Sequence, residues 1–113
     1  MSKKKHLKGN IVTARNGHLS YEINSASSSF LPVLSQILQK EFGCMPVGET
    51  TTFVSEIVSD IELNGIKLGL GWDNWSGAYV LALCGEGDQH ISDMANNLNK
   101  EIGKVEYCKY ASM

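Results

Sequence analysis

The side chains best placed to do chemistry are carboxylates in the middle of the chain. Glu56, Asp60 and Glu62 are two or four residues apart in a segment that alternates apolar and polar residues, so a strand would set them on one face. Asp73 directly follows the next strand-like run, diagonal or opposite to Glu56. Paired carboxylates serve acid–base catalysis or metal binding only when they converge. Because same-face side chains of a strand are about 7 Å apart, the row favours a surface for a basic partner or a solvated outer face.

A tryptophan accompanies these acids in a polar loop. Residues 73–77 read Asp-Asn-Trp-Ser-Gly between two strand-like runs. Trp72 is explained by core packing against Ile57, whereas Trp75 either folds back onto the sheet edge or projects as an aromatic anchor typical of protein-binding hot spots. The candidate partner-binding residues are therefore Glu56, Asp60, Glu62, Asp73, Asn74 and Trp75.

Other catalytic and metal-binding patterns are missing from the sequence. It contains no phosphate loop, nucleophile elbow or HExxH motif. The three cysteines (Cys44, Cys84 and Cys108) are widely spaced without a CxxC pair, which favours reduced thiols over disulfides or zinc. An enzyme remains an alternative only if a pocket brings His18 or His90 to a carboxylate. We expect no catalytic residue, no metal and no cofactor.

The charge distribution indicates what the protein can bind. Residues 1–15 hold five basic residues and no acid, whereas residues 41–93 hold nine of the twelve acids against Lys67 alone. An acidic body is a poor match for nucleic acid and suits a cationic partner, although solubility alone also explains it. No apolar run approaches the roughly 18 residues of a membrane span. We expect a cytoplasmic protein with a basic flexible leader over residues 1–9 and a single domain over residues 10–113.

Three hairpins are predicted to position the carboxylates. Two Asn-Gly pairs, at residues 16–17 and 64–65, indicate two-residue type I′ turns. The first turn would pair Val12 with Tyr21, and the second would pair Ile57 with Trp72. A loop at residues 73–77 would then set Tyr79 and Leu81 over two strand glycines. The predicted inner face comprises Ile57, Ile61, Leu63, Ile66, Leu68, Leu70 and Trp72.

Two helices complete the expected fold. Apolar spacing predicts helices over residues 29–42 and from Asp88 to Ile102, with residues 44–50 as a loop. Alternation over residues 104–110 predicts a short final edge strand. The predicted order is ββαβββαβ, an α+β two-layer domain whose largely antiparallel sheet carries both helices on one face.

The size, the βα meander, the acidic surface and the Gly-Trp-Asp-Asn-Trp-Ser-Gly loop at residues 71–77 together resemble bacterial immunity proteins of polymorphic and contact-dependent toxin systems. The resemblance is one of type, without a specific family motif. It implies a small cytoplasmic protein that binds and blocks one cognate toxin, frequently a basic nuclease. The alternative is a structural or regulatory module that forms a homodimer through the strand Ala78–Cys84 or the edge near Tyr107. Neither hypothesis involves direct contact with nucleic acid or a membrane.

Overall fold

A computed structural model describes residues 5–112 and contains one six-stranded antiparallel sheet. The strands are β1 Asn10–Thr13, β2 Leu19–Ile23, β3 Met45–Thr52, β4 Glu56–Leu63, β5 Ile66–Asp73 and β6 Gly77–Ala82. Their order in the sheet is β1-β2-β6-β5-β4-β3. The helices are α1 Leu31–Phe42 and α2 Gly85–Ile102, with 3₁₀ helices at Ser28–Phe30 and Val105–Tyr110. Neither long helix, nor any other in the described part, is long and apolar enough to cross a membrane.

Both long helices cover the same side of the sheet, which confirms the predicted α+β two-layer class. Alternate residues of the inner strands meet the apolar stripes of α1 and α2, because side chains two apart share a strand face. The buried core includes Tyr21, Ile23, Ile61, Leu68, Leu70 and Val80 from the sheet, and Leu34, Leu38, Ile91, Leu98 and Ile102 from the helices. Of the predicted inner face, Ile57, Ile66 and Trp72 are half-buried and the other four residues are buried.

The second Asn-Gly pair forms the predicted type I′ turn. Asn64 and Gly65 both have positive φ, 53° and 80°, as this turn requires. Ile57 therefore pairs with Trp72 as expected. The loop after β5 also gives the expected register, in which Trp72 pairs with Ala78.

The first Asn-Gly pair forms a longer turn, and the predicted register of β1 is wrong by one residue. Gly17 has a φ of 83°, but Asn16 does not have a positive φ, and the Ala14 N–H donates to the His18 carbonyl at 2.8 Å. This is a three-residue loop ending in a left-handed glycine. The Asn16 side chain explains the choice, since Nδ2 donates to the Ala82 carbonyl at 3.0 Å and Oδ1 accepts from the His18 N–H at 2.9 Å. Val12 consequently pairs with Ser20 instead of Tyr21.

The structure contains one strand, β3, where the sequence analysis predicted a loop. Residues 44–50, expected to be a loop, form most of β3, because Gly48, with a φ of 70°, allows a bulge where the pairing with β4 shifts register. The apolar and polar alternation that begins at Thr51 and contains the carboxylates is not one strand, because a tight turn, in which the Phe53 N–H donates to the Glu56 carbonyl at 2.7 Å, separates β3 from β4.

The C-terminal segment is a 3₁₀ helix at Val105–Tyr110, so the strand predicted there is wrong. The rings of Tyr107 and Tyr110 pack on Phe30, with centroids 5.8 and 5.3 Å away. Packing both half-buried tyrosines on one ring favours a helical turn, because residues three apart share a helix face and a strand would place them on opposite faces.

Two boundaries also move. Helix α2 begins at Gly85, three residues before the predicted N-cap. Its first turn packs closely on the sheet, because a Cβ on Gly87 would lie only 3.1 Å from Ala82 and 3.2 Å from Leu68. Leu7 is buried and the Gly9 N–H donates to Asn99 Oδ1, so the end of the expected leader packs against the domain. Its first four residues lie outside the described part.

Candidate functional site

The side of the sheet opposite the helices, which we call the open face, carries the predicted acids. Antiparallel pairing arranges its side chains in rows that cross the strands. One row runs through Glu22, Tyr79, Gly71 and Val58. The next runs through Val12, Ser20, Leu81, Gly69, Asp60 and Val47. Glu56 and Asp73 pair directly in a third row, and Glu62 and Lys67 in a fourth.

A trough of about 980 Å³ lies over the β1, β2 and β6 side of the open face. The hydroxyl end of Tyr79 lies over Gly71, and Leu81 lies beside Gly69, so the glycines of β5 receive the two large side chains of β6. This arrangement leaves space above β2, where small Ser20 lines the trough. The slipped register of β1 adds Val12 to the same lining. The pairing of Tyr79 and Leu81 with the two glycines is as the sequence predicted.

The structure brings together some of the predicted site residues and separates others. Glu56, Asp73 and Trp75 line the same trough, together with Glu22, which the sequence analysis missed. Further along β4, Asp60 forms an ion pair with Lys67 at 3.6 Å, and Glu62 is cross-strand partner of the same lysine. The trough is therefore lined by three carboxylates, from β2, β4 and β5, and by one cation, Arg15, from the loop after β1.

The loop after β5 is held rigidly and presents Trp75 to solvent. Asp73 Oδ1 accepts hydrogen bonds from the N–H groups of Trp75 and Ser76 at 2.9 and 2.6 Å. Asn24 Nδ2 donates to the Ser76 carbonyl at 3.1 Å. Trp75 is 90% exposed, so of the two alternatives for this residue it projects and does not fold back onto the sheet. Asn74 is exposed beside it.

The pKa of Tyr79 reflects the negative charge around the trough. Burial raises the pKa of its phenol, and the negative charges of Glu56, Asp73, Glu22 and Asp60 raise the pKa further. Carboxylates disfavour the phenolate because they repel a second negative charge. The same field attracts a cation to this part of the sheet.

Comparisons with protein-family models, with curated proteins and with solved structures find no match. The functional argument therefore uses the geometry and chemistry of this chain.

A histidine–carboxylate pair exists, but it lies outside the trough. His18 Nδ1 donates to Asp88 Oδ2 at 2.9 Å, while Asp88 Oδ1 accepts from the Leu19 N–H at 2.8 Å. These bonds, the one to His18 first, lower the pKa of Asp88. Both oxygens of the carboxylate are thus used to connect the first turn of α2 to the start of β2. Among the described residues, no three His, Cys, Asp or Glu side chains could hold a metal ion together.

A second cavity of about 350 Å³ opens on the helix side, between the start of α1 and the hairpin of β3 and β4. Leu31, Ile57 and Leu70 give it an apolar floor, and serine and threonine hydroxyls surround the floor. Of the predicted site residues, Asp60 contributes to this lining. The cavity has little charge and differs in chemistry from the open face.

Proposed function

We propose that the protein is a non-enzymatic immunity protein that binds and neutralises a cationic toxin, with a basic nuclease as the favoured class. The observation that carries the proposal is an almost fully exposed tryptophan, Trp75, at the end of an acidic trough on a sheet face that neither helix covers. Tryptophan is enriched among the residues that dominate protein-binding energy. The resemblance to immunity proteins supplies the class of partner.

Charge complementarity supports this class of partner. Glu22, Glu56 and Asp73 line one trough and outnumber Arg15, the basic residue in the same lining. A negative surface raises the association rate with a positive one and weakens binding to other anions. A nuclease has a cationic cleft for its substrate, so an acidic surface that covers this cleft would block the enzyme without any chemistry of its own.

The loop geometry supports Trp75 as the anchor. Its backbone is fixed through Asp73 and Asn24 before any partner binds. A side chain on a preorganised loop loses less conformational freedom on binding than one on a mobile loop. The partner's surface can therefore enclose the indole at a small entropic cost.

Growth rescue and affinity together test the proposal. Candidate basic nuclease toxins are each expressed with the wild type, with Trp75→Ala or with Glu56→Gln, and binding is measured by calorimetry at two salt concentrations. Trp75→Ala is expected to cost about 2 kcal/mol of binding energy. Glu56→Gln is expected to weaken binding and reduce its salt dependence, since one attractive charge is lost.

Matched controls come from the helix side of the molecule. Val105→Ala removes an exposed apolar group from the C-terminal 3₁₀ helix, and Glu86→Gln neutralises an exposed acid at the start of α2. Both are expected to rescue growth like the wild type. A toxin that is bound equally well by all four variants would contradict the proposed surface.

If the protein instead self-associates, the alternative function, it would use other strands than the two segments predicted from the sequence. Strand β6 is paired with β2 and β5, so its backbone is not available to a second copy. Tyr107 lies in a 3₁₀ helix and does not form a sheet edge. The edge strands are β1 and β3. A stable homodimer in light scattering, disrupted by proline substitution in β3 and unaffected by Trp75→Ala, would favour this alternative.

A further inference from the structure

The cavity of about 350 Å³ on the helix side exists because the helix layer is narrower than the sheet. Two helices side by side cover about 20 Å, whereas six strands about 4.8 Å apart extend over roughly 24 Å before the width of the strands is added. Helix α2 packs on β2 and β6, and α1 packs on β5 and the start of the β3 edge. The region where β3 pairs with β4 is therefore only partly covered. Ile57 is half-buried there, although it belongs to the inner face.

This cavity has an apolar floor and almost no charge. Leu31, Ile57 and Leu70 form the floor. Asp60 is the one acid in the lining, and it is paired with Lys67 at 3.6 Å. Within the described chain, no lysine, arginine or histidine lines the cavity. A charged ligand would lose hydration there without meeting an opposite charge, so the lining favours an uncharged one.

Two serine hydroxyls from opposite walls have hydrogen-bonding capacity to offer a ligand. On α1, Ser35 Oγ accepts from Gln39 Nε2 at 3.1 Å, so its own hydrogen can still be donated. On β4, Ser59 Oγ donates to the Leu70 carbonyl at 2.5 Å, so its lone pairs can still accept. Both serines line the cavity. A ligand with an N–H or O–H group and an acceptor oxygen finds a partner for each.

The size of the cavity decides which kind of occupant fits. Ligand pockets in proteins have volumes of about 300–1,000 Å³, and this one lies near the small end of that range. A cube of the same volume has an edge of about 7 Å, whereas an α-helix with its side chains is about 10 Å across. The space is therefore too narrow for a partner helix and suits a small molecule.

We propose that this cavity is a binding site for a small uncharged molecule that has an apolar body and one polar group, such as an aromatic alcohol or amide. The apolar body covers Ile57 and Leu70, and the polar group bonds to Ser35 or Ser59. The site is separate from the acidic trough, and the proposal does not depend on the immunity function.

A pair of dyes tests the proposal on the protein alone. N-phenyl-1-naphthylamine is uncharged, has one N–H group and fluoresces more strongly in apolar surroundings; 8-anilino-1-naphthalenesulfonate has the same rings and one added negative charge. The uncharged dye is expected to bind saturably with one site per protein. The sulfonate should bind at least tenfold more weakly, because the cavity offers it no cation.

Two serine variants locate the binding. Ser35→Phe places a ring in the cavity from α1 and is expected to weaken binding of the uncharged dye at least tenfold. Ser92→Phe makes the same change at an exposed position of α2 and is expected to have no effect. Far-UV circular dichroism shows whether both variants are folded. In the ¹⁵N-labelled wild type, the dye should shift the amides of Ser35 and Ser59 and leave that of Tyr79 in place.

Four results would overturn the proposal. The first is no saturable binding of the uncharged dye, and the second is equal affinity for the two dyes. The third is a set of amide shifts at Tyr79 and the rest of the open face, or unchanged affinity in a folded Ser35→Phe variant. The fourth is binding that appears only when the protein is diluted or carries Trp75→Ala, since a second copy would then be the occupant. None of these results bears on toxin binding at the trough.

Discussion

A side chain at Gly71 should destabilise the protein, whereas the same change at Gly69 should not. The two glycines lie on the same face of β5 and neither has a positive φ, so the substitutions are chemically matched. A Cβ at Gly71 would lie 2.5 Å from the Ile57 carbonyl oxygen and 2.5 Å from the Tyr79 hydroxyl. A Cβ at Gly69 would meet Leu81 at 3.4 Å, which is ordinary contact.

The expected magnitude follows from these distances. Overpacking costs about 1–3 kcal/mol, and an alanine recovers about 0.4–1 kcal/mol through the lower entropy of the unfolded chain. Gly71→Ala should therefore lower the free energy of unfolding by about 1–2 kcal/mol, because the carbonyl of Ile57 cannot move away without disturbing β4. Gly69→Ala should leave stability unchanged or raise it by about 0.5 kcal/mol.

Urea denaturation, followed by tryptophan fluorescence and far-UV circular dichroism, measures both variants. Tyr79→Ala in the Gly71→Ala background separates the two collisions: if the phenol contributes, the double variant regains part of the lost stability. Equal unfolding midpoints for Gly69→Ala and Gly71→Ala would refute the close packing of Tyr79 on β5, and with it the explanation of the trough.

Three further predictions concern single side chains. Because the pKa of Asp88 is lowered in the fold, its carboxylate stabilises the protein above the ordinary value of about 3.9, and this contribution disappears as the pH falls through the lowered pKa. Asp88→Asn should therefore flatten the acid side of the stability profile, and an unchanged slope below pH 4 would contradict the pairing with His18. Burial raises the pKa of the Cys44 thiol to about 11, so at pH 8 it should react with Ellman's reagent more slowly than the two half-exposed cysteines; three equal rates would oppose this. Trp75→Ala should remove most of the acrylamide-quenchable fluorescence and change stability by less than about 0.5 kcal/mol, whereas a large loss of stability would show that the indole packs on the sheet.

Local sequence patterns determined much of the sheet and of the site. The alternation over residues 57–72 predicted which side chains enter the core, because the strand period is two and one face must be buried. Asn64-Gly65 fixed the register between β4 and β5, since both residues tolerate positive φ. The composition of residues 73–77 indicated a loop but left open whether its tryptophan folds back onto the sheet edge or projects.

Tertiary contacts decided what these patterns left open. Asn16-Gly17 has the same sequence as the second turn, but the side-chain amide of Asn16 donates to the Ala82 carbonyl and the loop has three residues instead of two. The extra residue shifts the register of β1, so Val12 lies on the open face. The alternation at the C-terminus is compatible with a strand, but packing of Tyr107 on Phe30 favours a 3₁₀ helix. Both outcomes depend on groups that are distant in the chain.

The centre of the site depends on strand order. Glu22 and Tyr79 are far apart in sequence and become neighbours only because β6 inserts between β2 and β5. The sequence determined the faces of each strand, because the direction of a side chain is a local property of the backbone. The structure alone decided which faces are adjacent, because strand order results from burying all the apolar faces under two helices at once.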